Sequence, residues 1–201
     1  MKRFSVCLIS LIGLAYLLIA MGFRINLTDS IPVGLYRITH EGELKNAYVI
    51  FCPDNRHAFR LGLDRGYLDH SIYCGGYGYL MKKVVATPGD IVSVTKAGIF
   101  VNQVLIPFSK PKLKDGLNRL LPQWHATNYQ LGKDELMTMT SQSEWSFDSR
   151  YYGLVQTGQI KGMLRPLWVI NKLEKNHDEY KRTNGCDFRK IRGFGHPRIF
   201  G

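Results

Sequence analysis

An uncharged apolar run from Phe4 to Phe23 lies between Lys2-Arg3 and Arg24, and it constrains this chain more than any other feature. At ~1.5 Å of rise per residue, a helix over the run is ~30 Å long, the thickness of one bilayer hydrocarbon core. A cleavable leader has a shorter apolar region and a small-x-small exit. The exit here, Ile19-Ala20-Met21-Gly22-Phe23, offers no such site. Residues 1–24 therefore read as a cytoplasmic N-terminus and an uncleaved transmembrane anchor, a buried core helix being the alternative. Lys2 and Arg3 would stay cytoplasmic and the remainder would be exported, with Arg24 running slightly against that orientation.

Export bears on the cysteines. Cys7 falls inside the anchor, whereas Cys52, Cys74 and Cys186 would face an oxidising compartment. Three thiols leave one over. Cys52 with Cys74 is the preferred pair because both lie in one segment between the same two motifs, and three free thiols is the alternative. No CxxC and no His/Cys spacing suited to zinc occurs, so no metal or cofactor is expected.

The exported part is 25–170, and its pattern is that of strands. Tyr48–Phe51, Leu80–Val85, Glu135–Met139, Tyr151–Val155 and Leu167–Ile170 are short apolar stretches, and Ile91–Thr95 alternates. Asn102-Gln103 joins Ile99–Val101 to Val104–Ile106 as a hairpin. Asn55–His70 suits a short helix, Lys110–Asn128 a loop-rich excursion, and Asn26–Tyr36 a turn region. These features predict a mainly-β fold of coiled sheets or a barrel, with one N-terminal transmembrane helix. Residues 171–201 are polar, basic and without pattern, and read as a loosely held tail. The net charge of +11 attracts anionic partners such as a lipid surface. The basic residues are spread along the chain without a recognised motif, which argues against nucleic acid.

Three segments carry residues suited to catalysis. In Thr28-Asp29-Ser30-Ile31-Pro32-Val33-Gly34-Leu35-Tyr36, Pro32 disfavours helix at Ile31, so Ser30 lies on extended or turning backbone. Alone, this is an ordinary juxtamembrane turn. In Met81-Lys82-Lys83-Val84-Val85, alternation sends the two lysines to opposite faces, and one can be enclosed. Burial lowers a lysine's pKa, and a neutral lysine can take a proton from serine. Two snorkelling surface lysines is the plainer alternative. In Ser146-Phe147-Asp148-Ser149-Arg150-Tyr151-Tyr152-Gly153, Asp148 and Arg150 can pair along a strand or brace a tight loop.

Taken in this order, and with Pro88-Gly89-Asp90 after the lysines, the segments resemble the type I signal peptidase family. The resemblance runs from the anchor to about Ile170. The Thr-x-Ser-x-Pro-x-Gly-Leu-Tyr spacing is most similar to the TraF-type peptidases of conjugative transfer systems, which mature a pilin precursor at the periplasmic face of the inner membrane. The resemblance implies Ser30 as nucleophile and Lys82 as general base, with Lys83 at the basic position that follows. It implies Thr28 Oγ1 and the Ser30 backbone N–H as oxyanion donors, Ser146 as the hydroxyl orienting the lysine, and Asp148–Arg150 as a structural ion pair. The expected partners are an exported pilin or other precursor, membrane lipid and a conjugative transfer apparatus. Ile31 stands where general leader peptidases have Met. Thr140-Ser141-Gln142-Ser143 stands where the family often has Gly-Asp-Asn, which leaves the local loop and the substrate pocket open. A general leader peptidase and a non-catalytic pilus-assembly or secretion scaffold are the competing readings.

Overall fold

The structure is a computed structural model that describes residues 2–140 and 143–170, with side chains from Phe4 onward. The chain divides into two units, 1–170 and 171–201. The tail expected over 171–201, and Cys186 with it, lies outside the described residues.

The first helix, α1 (Lys2–Ala20), stops short of the apolar run that announces it. Gly22 turns the chain at φ +86°, a conformation open to glycine at little cost, and the Arg24 guanidinium donates to the Ile19 carbonyl at 2.8 Å. The last residues of the run then become β1 (Phe23–Asn26), which pairs antiparallel with β2 (Val33–Thr39). The expected turn region from Asn26 to Tyr36 is thus the tip and return strand of a hairpin. Its strand character is hidden by Pro32 and Gly34. Among the described residues no helix is long and apolar enough to cross a membrane. What α1 presents is apolar side chains exposed along its described length, from Phe4 at 85% to Ile19 at 52%.

The remaining elements are β3 (Tyr48–Phe51), α2 (His57–Asp64), β4 (His70–Ser71), β5 (Gly76–Tyr77), β6 (Leu80–Ala86), β7 (Ile91–Thr95), β8 (Gly98–Val101), β9 (Val104–Leu105), β10 (Ala126–Gln130), β11 (Glu135–Met139), α3 (Ser149–Tyr152), β12 (Val155–Gln156) and β13 (Ile160–Ile170). A seven-stranded sheet runs in the order β1-β2-β13-β3-β6-β11-β12, a four-stranded sheet in the order β10-β7-β8-β9, and β4 pairs with β5. Among the described residues the fold is mainly β, with helix confined to α1 and short pieces. Asn102 and Gln103, both at positive φ, make the tight hairpin between β8 and β9.

Two expectations are corrected. Of Tyr151–Val155 only Val155 is strand, at the start of β12: Ser149–Tyr152 is helical, with the Asp148 carboxylate accepting from the Arg150 backbone N–H as an N-cap. Strand β13 is much longer than Leu167–Ile170, and it runs through Pro166. A register shift between Pro166 and Trp168 lets the sheet absorb a residue that cannot donate to the ladder.

Strands β6 and β11 contribute to both main core clusters. Val84 and Leu136 join Val49, Phe51, Phe59, Tyr152 and Val155 in one. Ala86, Met137 and Met139 join Val92, Val94, Ile99 and Val101 in the second. Each fully buried large apolar side chain is worth about 1.5–3 kcal/mol. A third cluster, Ile31, Tyr36, Ile50 and Leu164, seats the tip of the β1–β2 hairpin against the sheet.

Candidate active site

Lys82 lies in the middle of β6, opposite Val49 of β3, on the face that buries Val84 and Ala86. It is 2% exposed, while its neighbour Lys83 points to the other face and is half-buried. Its Nζ stands 2.8 Å from Ser30 Oγ and 2.7 Å from Ser146 Oγ. Burial drives the Lys82 pKa down from 10.5 to about 8; nearby Asp148 opposes the fall and Arg150 adds to it. At pH 7, about a tenth of such a lysine is neutral and able to accept a proton.

Ser30 sits on the loop between β1 and β2. Ile31, 1% exposed, anchors the loop in the third cluster. Gly34 explains the glycine of the motif: a Cβ there would meet the Trp168 carbonyl oxygen at 2.1 Å, so only glycine lets β2 approach β13 this closely. Thr28 is exposed and lines the same cleft as Ser30. Its hydroxyl donates to Asn26 Oδ1 at 2.8 Å. An oxyanion would therefore have to draw that proton away from Asn26.

Asp148 and Arg150 form a two-pronged ion pair, Nε–Oδ1 and Nη2–Oδ2 both 2.8 Å, with neither side chain exposed. The pair braces backbone. Arg150 Nη1 donates to the carbonyls of Phe108, Lys110 and Glu144, and Nη2 to that of Ser146. With every donor in use, the guanidinium fixes the segment carrying Ser146.

A cleft of about 360 Å³ opens beside Ser30 and Lys82, and Tyr67, Leu68, Leu80, Leu121, Phe147 and Tyr151 form its apolar wall. The excursion 110–121 covers one side. It is held by the Tyr67 hydroxyl, which donates to Asp115, and by the Lys112 backbone N–H, which donates to Tyr151 Oη at 3.0 Å. Cys52 and Cys74 are joined as a disulfide that closes the segment carrying Tyr67 and Leu68. A larger cavity of about 760 Å³, between α2 and Cys74, contains neither Ser30 nor Lys82.

A hydroxyl and a buried amine, oriented by a second hydroxyl beside an apolar cleft, are the parts of a serine–lysine acyl-transfer site. The family model described as signal peptidase, peptidase S26 matches residues 1–168. The chain belongs to the S26 signal peptidase family. Within it, the plasmid transfer protein TraF of Escherichia coli is 42% identical over 160 residues, covering 77% of this chain and 90% of that protein. The conjugal transfer protein TraF of Agrobacterium tumefaciens (strain 15955) is 31% identical over 157 residues, covering 75% and 84%. A solved signal peptidase I from Enterococcus faecalis V583 aligns with TM-score 0.36 at 16% identity, over 62% of this chain and 98% of that one.

The structure thus brings Ser30, Lys82 and Ser146 together, with Asp148 and Arg150 behind Ser146. It also shows two contributors that the sequence reading of this signal peptidase relative does not single out. Asn26 and Thr140, 4% and 1% exposed, both hold the Ser30 loop by side-chain hydrogen bonds. A buried Asn at the end of β1 and a buried Thr just past the end of β11 carry no signal until the loop that they hold is seen.

Proposed function

We propose that this S26 family member is a membrane-anchored serine endopeptidase that cleaves an exported precursor, a pilin of a conjugative transfer system, with Ser30 as nucleophile and Lys82 as general base. The observation that carries this reading is the buried Lys82 amine, 2.8 Å from Ser30 Oγ and 2.7 Å from Ser146 Oγ. The neutral amine removes the Ser30 proton as Oγ attacks the scissile carbonyl carbon. The Thr28 hydroxyl and the Ser30 N–H stabilise the tetrahedral oxyanion, each donor being worth about 2.7–4 kcal/mol. The lysine ammonium then gives its proton to the leaving amine, and an acyl-enzyme ester on Ser30 remains. Water resolves the ester to a linear product. The amino group at the precursor's own N-terminus would resolve it to a cyclic one.

Support for the pilin comes from the TraF relatives, whose names place them in plasmid and conjugal transfer. Support for the anchor comes from the exposed apolar surface of α1 and from Lys2-Arg3 ahead of it, with the catalytic unit on the periplasmic side of the inner membrane. The test is co-expression with the pilin precursor encoded beside it, followed by mass spectrometry of the product. Cleavage that yields a linear pilin, or one lighter by a single water, supports the proposal. A precursor left uncut by the wild-type chain contradicts it.

A further inference from the structure

We infer that Asn26 is the positioning residue of the nucleophile loop, fixing its turn and holding the Thr28 hydroxyl proton ready for the oxyanion; this rests on the Ser30–Lys82 reading above. Asn26 ends β1, opposite Gly34 of β2, at the neck of the loop that carries Ser30. Its amide nitrogen reaches inward to three carbonyl oxygens, those of Thr28 and Ile31 at 2.8 Å and that of Pro32 at 3.2 Å. Its Oδ1 accepts from Thr28 twice, from the backbone N–H at 3.2 Å and from Oγ1 at 2.8 Å. One buried amide thereby engages residues on both sides of Ser30. Thr140 Oγ1 adds a bond to the Asp29 carbonyl at 2.9 Å.

The chemistry requires an amide at this position. Two N–H groups must face carbonyl oxygens while one oxygen faces donors, and no other small side chain has both in a rigid plane. A carboxylate would set its charge against three carbonyl oxygens. A hydroxyl lacks the reach. The bond to Thr28 Oγ1 has a second consequence. Thr28 has a single hydroxyl proton, and Oδ1 holds it while no charge develops beside Ser30. When the tetrahedral oxyanion forms, its full charge outcompetes the neutral amide oxygen, and the proton turns to it by rotation about the Cβ–Oγ1 bond. The stabilisation is therefore largest in the transition state, where it raises kcat and leaves KM little changed.

The test is a cycle of four enzymes: wild type, Asn26→Ala, Thr28→Val and the double variant. Each is assayed for precursor cleavage and for Tm, with Ser30→Ala as control. Asn26→Ala is expected to lower kcat roughly a hundredfold with KM nearly unchanged, the scale of a misplaced nucleophile. The loss on removing Asn26 should shrink several-fold in the Thr28→Val background, because part of the role of Asn26 runs through that hydroxyl. Thr28→Ser, which keeps the hydroxyl, should restore the full loss. An equal fold-loss in both backgrounds, or an Asn26→Ala enzyme with wild-type kcat, overturns the inference. If Asn26→Ala shows no melting transition, Asn26→Ser replaces it in the same cycle with the same criteria. Cleavage by Ser30→Ala would instead refute the underlying mechanism, so the two failures are told apart.

Discussion

Arg150 grips the main-chain carbonyl of Ser146 at 3.0 Å, and the hydroxyl of that same serine lies 2.7 Å from the Lys82 amine. The buried ion pair therefore acts on Lys82 in two ways. It holds the segment that orients the amine, and its charges tune the amine's proton affinity in opposite directions.

That pair of effects separates two substitutions. Removing one partner of a buried ion pair costs about 3–5 kcal/mol, because the other charge is left uncompensated. Both Asp148→Asn and Arg150→Met should thus lower Tm. Their pH–activity profiles should move oppositely. Asp148→Asn removes an anion that favours the ammonium, so its rise should come at lower pH. Arg150→Met removes a cation that disfavours the ammonium, so its rise should come at higher pH. Profiles of kcat/KM check the signs.

Lys82 also makes the wild-type profile and stability depend on pH. Activity should climb as pH rises through about 8, where the amine loses its proton, and level off above. In the unfolded chain the lysine titrates near 10.4, so between about 8 and 10.4 the unfolded state holds the extra proton. Stability from this group is then gained as pH rises across that window and absent below it, with a total span of about 3 kcal/mol. Lys82→Met should be inactive yet more stable than wild type at pH 7, and its advantage should narrow by pH 10. Chemical denaturation at the two pH values measures the difference.

Much of this site was legible where the code is local. The alternation that sends Lys82 and Lys83 to opposite faces and the Asn102-Gln103 hairpin are written in adjacent residues. The juxtaposition of Ser30, Lys82 and Ser146 is not. They come from separate elements, β6 lying between the β1–β2 loop and the segment before α3, and only the resemblance to a known family linked them. The misreadings have the same origin. Ser149–Tyr152 is helical because of the Asp148 cap and its buried surroundings, not because of its own propensities. Pro166 hides a long strand that a register shift rescues. The Asn26 clamp was illegible because its meaning lies in the backbones of three neighbours, Thr28, Ile31 and Pro32.

The disulfide offers a further expectation. Cys52 and Cys74 are 22 residues apart, and the segment between them supplies Tyr67 and Leu68 to the cleft. A cross-link over a loop of this length stabilises by about 3 kcal/mol through the unfolded chain. The Cys52→Ser/Cys74→Ser variant should lose about that amount in denaturant titrations. Its KM should rise more than its kcat falls, because the cleft wall loosens while Lys82 stays on β6.

The Ser30–Lys82 dyad is tested most directly by cleavage rates of four purified enzymes at pH 8: wild type, Ser30→Ala, Lys82→Arg and Lys83→Arg. Arginine keeps the charge and length of lysine but cannot give up its proton. Ser30→Ala and Lys82→Arg should both fall by at least about a thousandfold while keeping a cooperative melting transition. Lys83→Arg, on the other face of β6, should stay within a few-fold of wild type. A Lys82→Arg enzyme with near wild-type cleavage, or loss of activity confined to Lys83→Arg, would contradict the assignment of Lys82 as the base.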